Sequence, residues 1–220
     1  MRAAILLAGE LKPTPLARRL ALESQLVVAA DGGIAHAAEL GVEPDLWVGD
    51  FDSSPPELLS RWRRVRREVH PADKDATDAE LAARAALRLG AGELLFLGAL
   101  GSEPDHTLAN LTLAVSLAEE GVPVVLGDGT NWALPLLPPG IELELAKDAP
   151  FSVVPLAELA GLGVRGARWE LRSARVPFGS TRTLRNRARG GPLRVALSSG
   201  RGLLFTASPG WQGGWYILRV

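Results

Sequence analysis

The chain of 220 residues has no cysteine, one methionine, one tyrosine and three histidines. Without cysteine there can be no disulfide, no thiolate metal site and no cysteine nucleophile. Three histidines in all, His36, His70 and His106, argue against a zinc centre built on three imidazoles. No apolar run reaches the ~18 residues that a membrane-spanning helix needs. Met1–Gly9 is too short for a signal peptide. These absences together point to a cytoplasmic protein with no membrane partner. The patterns G-x-x-x-x-G-K-[ST], H-E-x-x-H and G-x-S-x-G are also missing, so a Walker loop, a zincin site and a nucleophile elbow are excluded.

The residues that are present describe a globular chain. Its 47% hydrophobic content is far above that of a disordered protein. The length suits one large core or two modest ones, since domains run to roughly 100–200 residues. The formal net charge is −1, but it is unevenly spread. Residues 1–150 carry 23 acids and 13 bases, a net of −10, whereas residues 151–220 carry 2 acids and 11 arginines, a net of +9. Two segments of different character, a phosphate-rich ligand, or both would account for the split. Arginine bias on solvated faces accounts for part of it, because lysine is nearly absent. The arginines are scattered along short strand-like segments and the first segment is acidic. That pattern does not indicate a nucleic-acid partner.

The first two-thirds alternates two kinds of pattern. Arg2–Ala8, Gln25–Ala30, Asp45–Gly49, Arg67–His70, Glu93–Gly98 and Val122–Gly127 read as short buried strands. Helical stretches lie between them near Pro15–Glu23, Ala35–Leu40, Pro56–Val65, Asp78–Leu89 and Thr107–Glu119. Thr77-x-x-Glu80 is a capping box for the fourth helix, which Gly90 ends. Strands alternating with helices predict an α/β domain with a doubly wound, mainly parallel sheet. After the cluster Pro135, Pro138, Pro139 and Gly140 only short alternating runs remain: Ile141–Leu145, Phe151–Val154, Arg168–Leu171, Leu193–Leu197, Leu203–Ala207 and Trp215–Leu218. They predict a small all-β sandwich or partial barrel. The expected division is therefore residues 1–135 and 136–220.

The acids of the first domain collect where strands end, and open α/β sheets bind ligands outside the carboxyl ends of their strands. Asp31 follows one strand and precedes Gly32 and Gly33, where a ligand can approach the backbone closely. Asp50 and Asp52 follow another in Gly49-Asp50-Phe51-Asp52-Ser53. If that strand stays extended, both carboxylates fall on one side and can share a cation. Asp75 and Asp78 sit at a helix start, where i and i+3 share a face. Asp105 and His106 lie at the start of the next helix. Asp45, Asp73 and Asp128 read as turn or cap residues instead. Acids crowded together destabilise a fold unless a positive group sits among them. A hard divalent cation such as Mg²⁺, held by two or three carboxylates and substrate phosphates, resolves the crowding.

In order and spacing, Ala30-Asp31-Gly32-Gly33, Gly49-Asp50-Phe51-Asp52-Ser53, Asp75-Ala76-Thr77-Asp78, Gly98-Ala99-Leu100-Gly101 and Asp105-His106-Thr107-Leu108-Ala109-Asn110 resemble the thiamine pyrophosphokinase family. The resemblance spans roughly residues 1–130. It implies an α/β catalytic domain followed by a small β-sandwich that contributes to substrate binding and dimerisation. It also implies transfer of a pyrophosphoryl group from ATP to the hydroxyl of thiamine, giving thiamine diphosphate and AMP. The resemblance further implies dependence on Mg²⁺ and a homodimer with thiamine between subunits. By the same resemblance Asp50, Asp52 and Asp78 hold the metal, while Asp31, Gly32, Gly33, Asp75, Thr77 and Asp105 surround nucleotide phosphates. The alcohol proton would pass to a carboxylate, Asp105 or Asp78, or to His106. Asp105 is preferred, because a metal ligand is a poor base.

Some positions differ from the family pattern. Ala35 stands where the family writes asparagine, and Glu103 where it has a basic residue. Leu184-Arg185-Asn186-Arg187 keeps only the asparagine of a thiamine-facing S-N-E segment. Arg185 and Asn186 are thus the candidate acceptor-side residues. Trp211, like Trp215, either stacks on a ligand ring or fills the β-domain core. The differences leave two other readings open: a Mg²⁺-dependent phosphotransferase or hydrolase with another alcohol or nucleotide, and a non-catalytic protein that binds thiamine diphosphate or a nucleotide.

Overall fold

The computed structural model describes residues 1–51, 55–71, 73, 75–101 and 103–207. The chain divides into two compact units, Met1–Leu113 with Gly121–Gly129, and Ala114–Glu120 with the residues from Thr130 onward.

In the first unit six parallel strands lie side by side. They are β1 (Arg2–Leu6), β2 (Leu26–Ala30), β3 (Leu46–Gly49), β4 (Arg66–Val69), β5 (Glu93–Leu97) and β6 (Val124–Gly127), in the order β6-β5-β1-β2-β3-β4. The central strands are almost wholly buried runs such as Leu26–Ala30, as expected where helices cover both faces of a parallel sheet. Polar Arg66–Val69 lies at the edge, where it meets solvent. The helices are α1 (Pro15–Leu22), α2 (Ala35–Leu40), α3 (Pro56–Arg61), α4 (Asp78–Arg88) and α5 (Pro104–Glu119). The doubly wound α/β expectation holds.

Each helix end has a local cause. Thr14 caps α1 by accepting from the Ala17 N–H at 3.3 Å, with Pro15 in the first turn. Thr77 caps α4 the same way, accepting from the Glu80 N–H at 3.3 Å. Helix α4 buries Ala79, Ala82, Ala83, Ala85 and Ala86, and this alanine face packs on β1, β2 and β3. Helix α3 ends at Arg61 rather than near Val65, because Trp62 leaves helical geometry with φ −101° and ψ 26°. Helix α5 begins at Pro104 rather than Thr107. Proline suits a first helical position because its missing N–H would be unpaired there in any case. None of the described helices is long and apolar enough to cross a membrane.

The second unit is antiparallel. Its strands are β7 (Trp132–Leu136), β8 (Gly140–Leu145), β9 (Pro150–Pro155), β10 (Leu159–Arg165), β11 (Leu171–Val176), β12 (Asn186–Arg187), β13 (Gly191–Ala196) and β14 (Gly202–Thr206). They form the sheets β12-β9-β14-β7 and β11-β10-β13-β8. Alternate burial along β8, β9 and β13 matches strands with one solvated face. Three strands escape sequence reading: β7, β10 and the two-residue β12. The run Trp132–Leu136 is buried throughout although Pro135 lacks a donor; Pro135 pairs with Leu203 of β14. In β10, Gly161 and Gly163 blur the alternation. The strand expected at Arg168–Leu171 is a correction. Ala167–Glu170 form a bridge and bend, and the strand starts at Leu171. Trp132 is fully buried in the core. The strand expected at Trp215–Leu218 lies outside the described residues.

Gly33 and Gly98 let the chain cross at the sheet's carboxyl edge. A Cβ on Gly33 would collide with the Leu6 carbonyl, and one on Gly98, at φ 75°, with the Leu7 carbonyl. Gly33→Ala should therefore cost about 2 kcal/mol or more in chemical denaturation. Gly92→Ala has open space and should stay within about 0.5 kcal/mol of the parent.

Candidate active site

The site is built where β1, β2, β3 and β5 end. Leu6 lies between Ala29 and Leu97, and Ala30 lies opposite Val48. Asp31, level with Gly49, and Asp50, one residue farther along, therefore leave neighbouring strand ends. Asp31 opens a 3₁₀ turn, Asp31–Ile34, at φ 41°. A Cβ on Gly49 would stand 3.3 Å from Asp31 Oδ1, so this carboxylate lies against the end of β3. The turn is pinned from below. The buried Trp47 indole donates from Nε1 to the Asp31 carbonyl at 2.8 Å. The Phe51 ring meets Trp47 edge-on at 4.8 Å, and the Arg67 guanidinium lies 5.2 Å from the Trp47 ring and 5.4 Å from Phe51.

The extended path assumed for Asp50 and Asp52 does not hold. Strand β3 stops at Gly49, and Phe51 sits at φ 64°, so the period of two is broken between the two acids. Asp52 itself lies outside the described residues. Asp78 is the first residue of α4, and Thr77 is its cap. Asp75 lies in the bend before the helix, so the shared helical face expected of Asp75 and Asp78 is also corrected. Gly32 and Gly33 belong to the Asp31 turn, and Gly33 is buried. The expected structural role of Asp45 is visible: its Oδ2 accepts from the Val27 N–H at 2.8 Å.

At the start of α5, Asp105 Oδ1 accepts from the His106 N–H at 2.9 Å. Asp105, His106 and Glu103 are exposed, and their ligand atoms lie within 4.8 Å of one another. Buried Asn110, two turns into the helix, donates from Nδ2 to the Ala99 carbonyl at 3.1 Å. That bond ties α5 to the turn after β5 and so fixes where Asp105 stands. Sequence reading quoted Asn110 but gave it no role; its place at the end of the run from Asp105 was the available signal. The donors at the strand ends are carboxylate oxygens, the type that Mg²⁺ takes. Asp31, Asp50 and Asp78 offer donors of that type, while among the described residues the group whose ligand atoms converge is Glu103, Asp105 and His106.

At the end of β4, Glu68 Oε1 accepts from His70 Nε2 at 3.0 Å and from Arg88 Nη2 at 2.6 Å. Partial burial pushes the Glu68 carboxyl up, but the bonds from His70 and Arg88 outweigh it and hold it below its ordinary 4.5. A lowered carboxyl stabilises the fold above the unfolded-state pKa, and that stabilisation is lost as pH falls through the folded value.

In the second unit, a cavity of about 300 Å³ opens between Phe151, Val164, Trp169, Thr183, Leu184 and Asn186. Asn186 uses its amide on the wall of this cavity. Nδ2 donates to the Trp169 carbonyl at 2.7 Å, while Oδ1 accepts from the N–H groups of Trp169 at 3.2 Å and Arg187 at 2.8 Å. Arg185 is exposed at φ 56°, with its N–H given to Ser152 Oγ at 2.9 Å. Trp169, which sequence reading missed, is 55% exposed with the Arg168 guanidinium 5.0 Å from its ring. Trp211 lies outside the described residues.

Known proteins resemble this chain over both units. The family model described as thiamin pyrophosphokinase, catalytic domain, matches residues 17–126. The thiamine pyrophosphokinase of Bacillus subtilis (strain 168) is 28% identical over 170 residues, covering 74% of this chain and 78% of that protein. A crystal structure of thiamine pyrophosphokinase from Bacillus subtilis superposes with a TM-score of 0.81 at 21% identity, covering 94% of this chain and 99% of the other. The thiamin pyrophosphokinase from Geobacillus thermodenitrificans gives 0.80 at 25% identity, covering 96% and 99%.

Two stability measurements check this geometry. Asn110→Ala leaves the buried Ala99 carbonyl without its partner and should cost about 1–3 kcal/mol. Glu68→Gln should lower stability by about 0.5–1 kcal/mol at pH 7. The difference should shrink as pH falls below about 4, where the parent carboxylate is protonated.

Proposed function

The chain belongs to the thiamin pyrophosphokinase family, and from that premise we propose that it transfers a pyrophosphoryl group from ATP to the hydroxyl of thiamine. The products are thiamine diphosphate and AMP. The observation that carries this reading is the acidic rim of the first unit, with Asp31 and Asp50 at neighbouring strand ends and Asp78 opening α4. A rim of carboxylates suits a metal-bound polyphosphate, which brings the positive charge that the acids lack.

In the proposed reaction the alcohol oxygen forms a bond to the β-phosphorus as the bond from that phosphorus to the AMP oxygen breaks. The electron pair leaves with AMP, and the alcohol proton goes to a carboxylate. Such transfers ask the protein mainly for positioning and charge neutralisation. Asp50, Asp52 and Asp78 would hold Mg²⁺, with Asp31 beside the nucleotide phosphates. When bound, Mg²⁺ supplies charge neutralisation at the phosphate oxygens. Gly32 gives the phosphates close access to backbone, and the buried Gly33 lets its turn cross the Leu6 carbonyl. Asp75 and Thr77 flank the nucleotide, with the Thr77 hydroxyl already engaged as the α4 cap. Asp105 accepts the alcohol proton, and His106 beside it is the second candidate. Arg185 and Asn186 belong to the acceptor side. Asn186 acts there by holding Trp169 in place, since its amide is spent on that backbone. Trp211 completes this acceptor-side set.

The enzyme works, in this reading, as a cytoplasmic homodimer. Exposed Trp169, Phe178 and Leu184 on the second unit support a second copy as the partner that covers them.

The test is AMP release measured with and without thiamine and Mg²⁺. Release should need both, and AMP produced equally without thiamine would sink the reading. Asp50→Asn and Asp78→Asn should each lower the rate about a hundredfold or more. Asp105→Asn should lower it about 10²–10⁴-fold, with circular dichroism unchanged.

A further inference from the structure

The sheet β11-β10-β13-β8 carries a basic feature to which the proposed reaction assigns no role. Register places Glu142, Arg194 and Arg165 in one row across β8, β13 and β10. The next row on the same face, two residues along, is Gly140, Ala196 and Gly163. Nothing larger than a methyl group stands there, so the arginine row walls an open floor. At the other side β11 is irregular. Leu171 faces Val164 and Ala174 faces Leu162, so Arg172 and Ser173 together oppose Gly163, with Ser173 at φ 47°. The result is a trough of about 480 Å³ whose charged lining residues, among the described residues, are Arg165, Arg172 and Arg194. That volume falls within the roughly 300–1,000 Å³ of small-molecule sites.

The charges are unbalanced. Arg194 pairs with Glu142 across the strands. Among the described residues, no carboxylate forms an ion pair with Arg165 or Arg172, and Glu144 lies one row beyond Glu142, outside the lining. Arg165 stands directly opposite Arg194, and like charges directly opposite destabilise a sheet. An anion between the guanidinium groups removes that cost, and their planar forks match phosphate oxygens in pairs.

We propose that this trough is a second binding site, separate from the acidic rim, for a small planar molecule carrying a phosphate or diphosphate. The ring lies on the backbone floor at Gly163 and Ala196, and Arg165 and Arg172 take the phosphate oxygens. AMP, ATP and thiamine diphosphate share this chemistry, so the site would sense a nucleotide or the phosphorylated product. The inference stands on the trough alone and does not need the proposed reaction to be correct.

Isothermal titration of the full chain with AMP, thiamine diphosphate and inorganic pyrophosphate, in the presence of EDTA, tests it. One saturable, salt-sensitive site should be weakened at least tenfold in Arg165→Ser/Arg172→Ser. That site should persist in Asp50→Asn/Asp78→Asn and in the control Arg64→Ser. The ligand that binds tightest separates nucleotide from thiamine diphosphate as the source. AMP release by the arginine variant should equal the parent's, and its thermal midpoint without ligand should not fall, since a like-charge contact has gone. Binding by the arginine variant equal to the parent's would overturn the proposal. So would pyrophosphate binding as tightly as the ring-bearing ligands, or a variant that changes the oligomeric mass and leaves ligand binding intact.

Discussion

The acidic rim depends on main chain packed against main chain at the carboxyl edge of the parallel sheet. The carbonyls of Leu6 and Leu7 face Gly33 and Gly98 at separations that leave no room for a Cβ. Because those two positions carry only hydrogen, the 3₁₀ turn of Asp31 and the turn after β5 can fold back across the end of β1. Here the backbone crossings fix where those two turns stand at the edge of the sheet. The Trp47 indole does the same work laterally, holding the Asp31 carbonyl from the neighbouring strand under a stack of Phe51 and Arg67.

That arrangement explains which parts of the molecule could be read from the chain. The parallel strands of the first unit other than the polar edge strand β4 were legible because each is buried on both faces and so appears as an unbroken apolar run between helical periods. Helix starts at Thr14 and Thr77 were legible because capping is local. The acids at strand ends followed from the topology, since a parallel sheet gathers its loops at one edge. The geometry inside those loops was not legible. Asp50 and Asp52 were expected on one side of an extended strand, but Phe51 turns to φ 64° where it packs on Trp47. The turn follows from a contact with a residue already buried in β3.

The second unit was less legible for a related reason. Its strands are short, and side chains from distant segments decide them. Pro135 reads as a breaker, yet Trp132–Leu136 forms a buried strand because Leu203 and its neighbours supply the pairing. Asn186 reads as an acceptor-side residue, yet its amide closes on the backbone of Trp169, 17 residues earlier. No pattern within either segment encodes that bond. It exists because β12 pairs with β9 and so ends beside the bend before β11.

The charge split along the sequence then takes on a more definite meaning. Many of the second unit's arginines are engaged in holding the unit itself: Arg175 pairs with Glu158, Arg201 with Glu119 and Arg194 with Glu142, while Arg187 bonds the Asp148 carbonyl. An arginine-rich composition by itself would distribute such pairs wherever an acid is near. Arg165 and Arg172 differ because they border one trough, beside a third arginine, in a unit that has few acids left to offer. The rim and the trough are complementary consequences of one economy of charge. On the two proposed readings, the carboxylates of the first unit serve a cation–phosphate complex and the guanidinium groups of the second serve an anion.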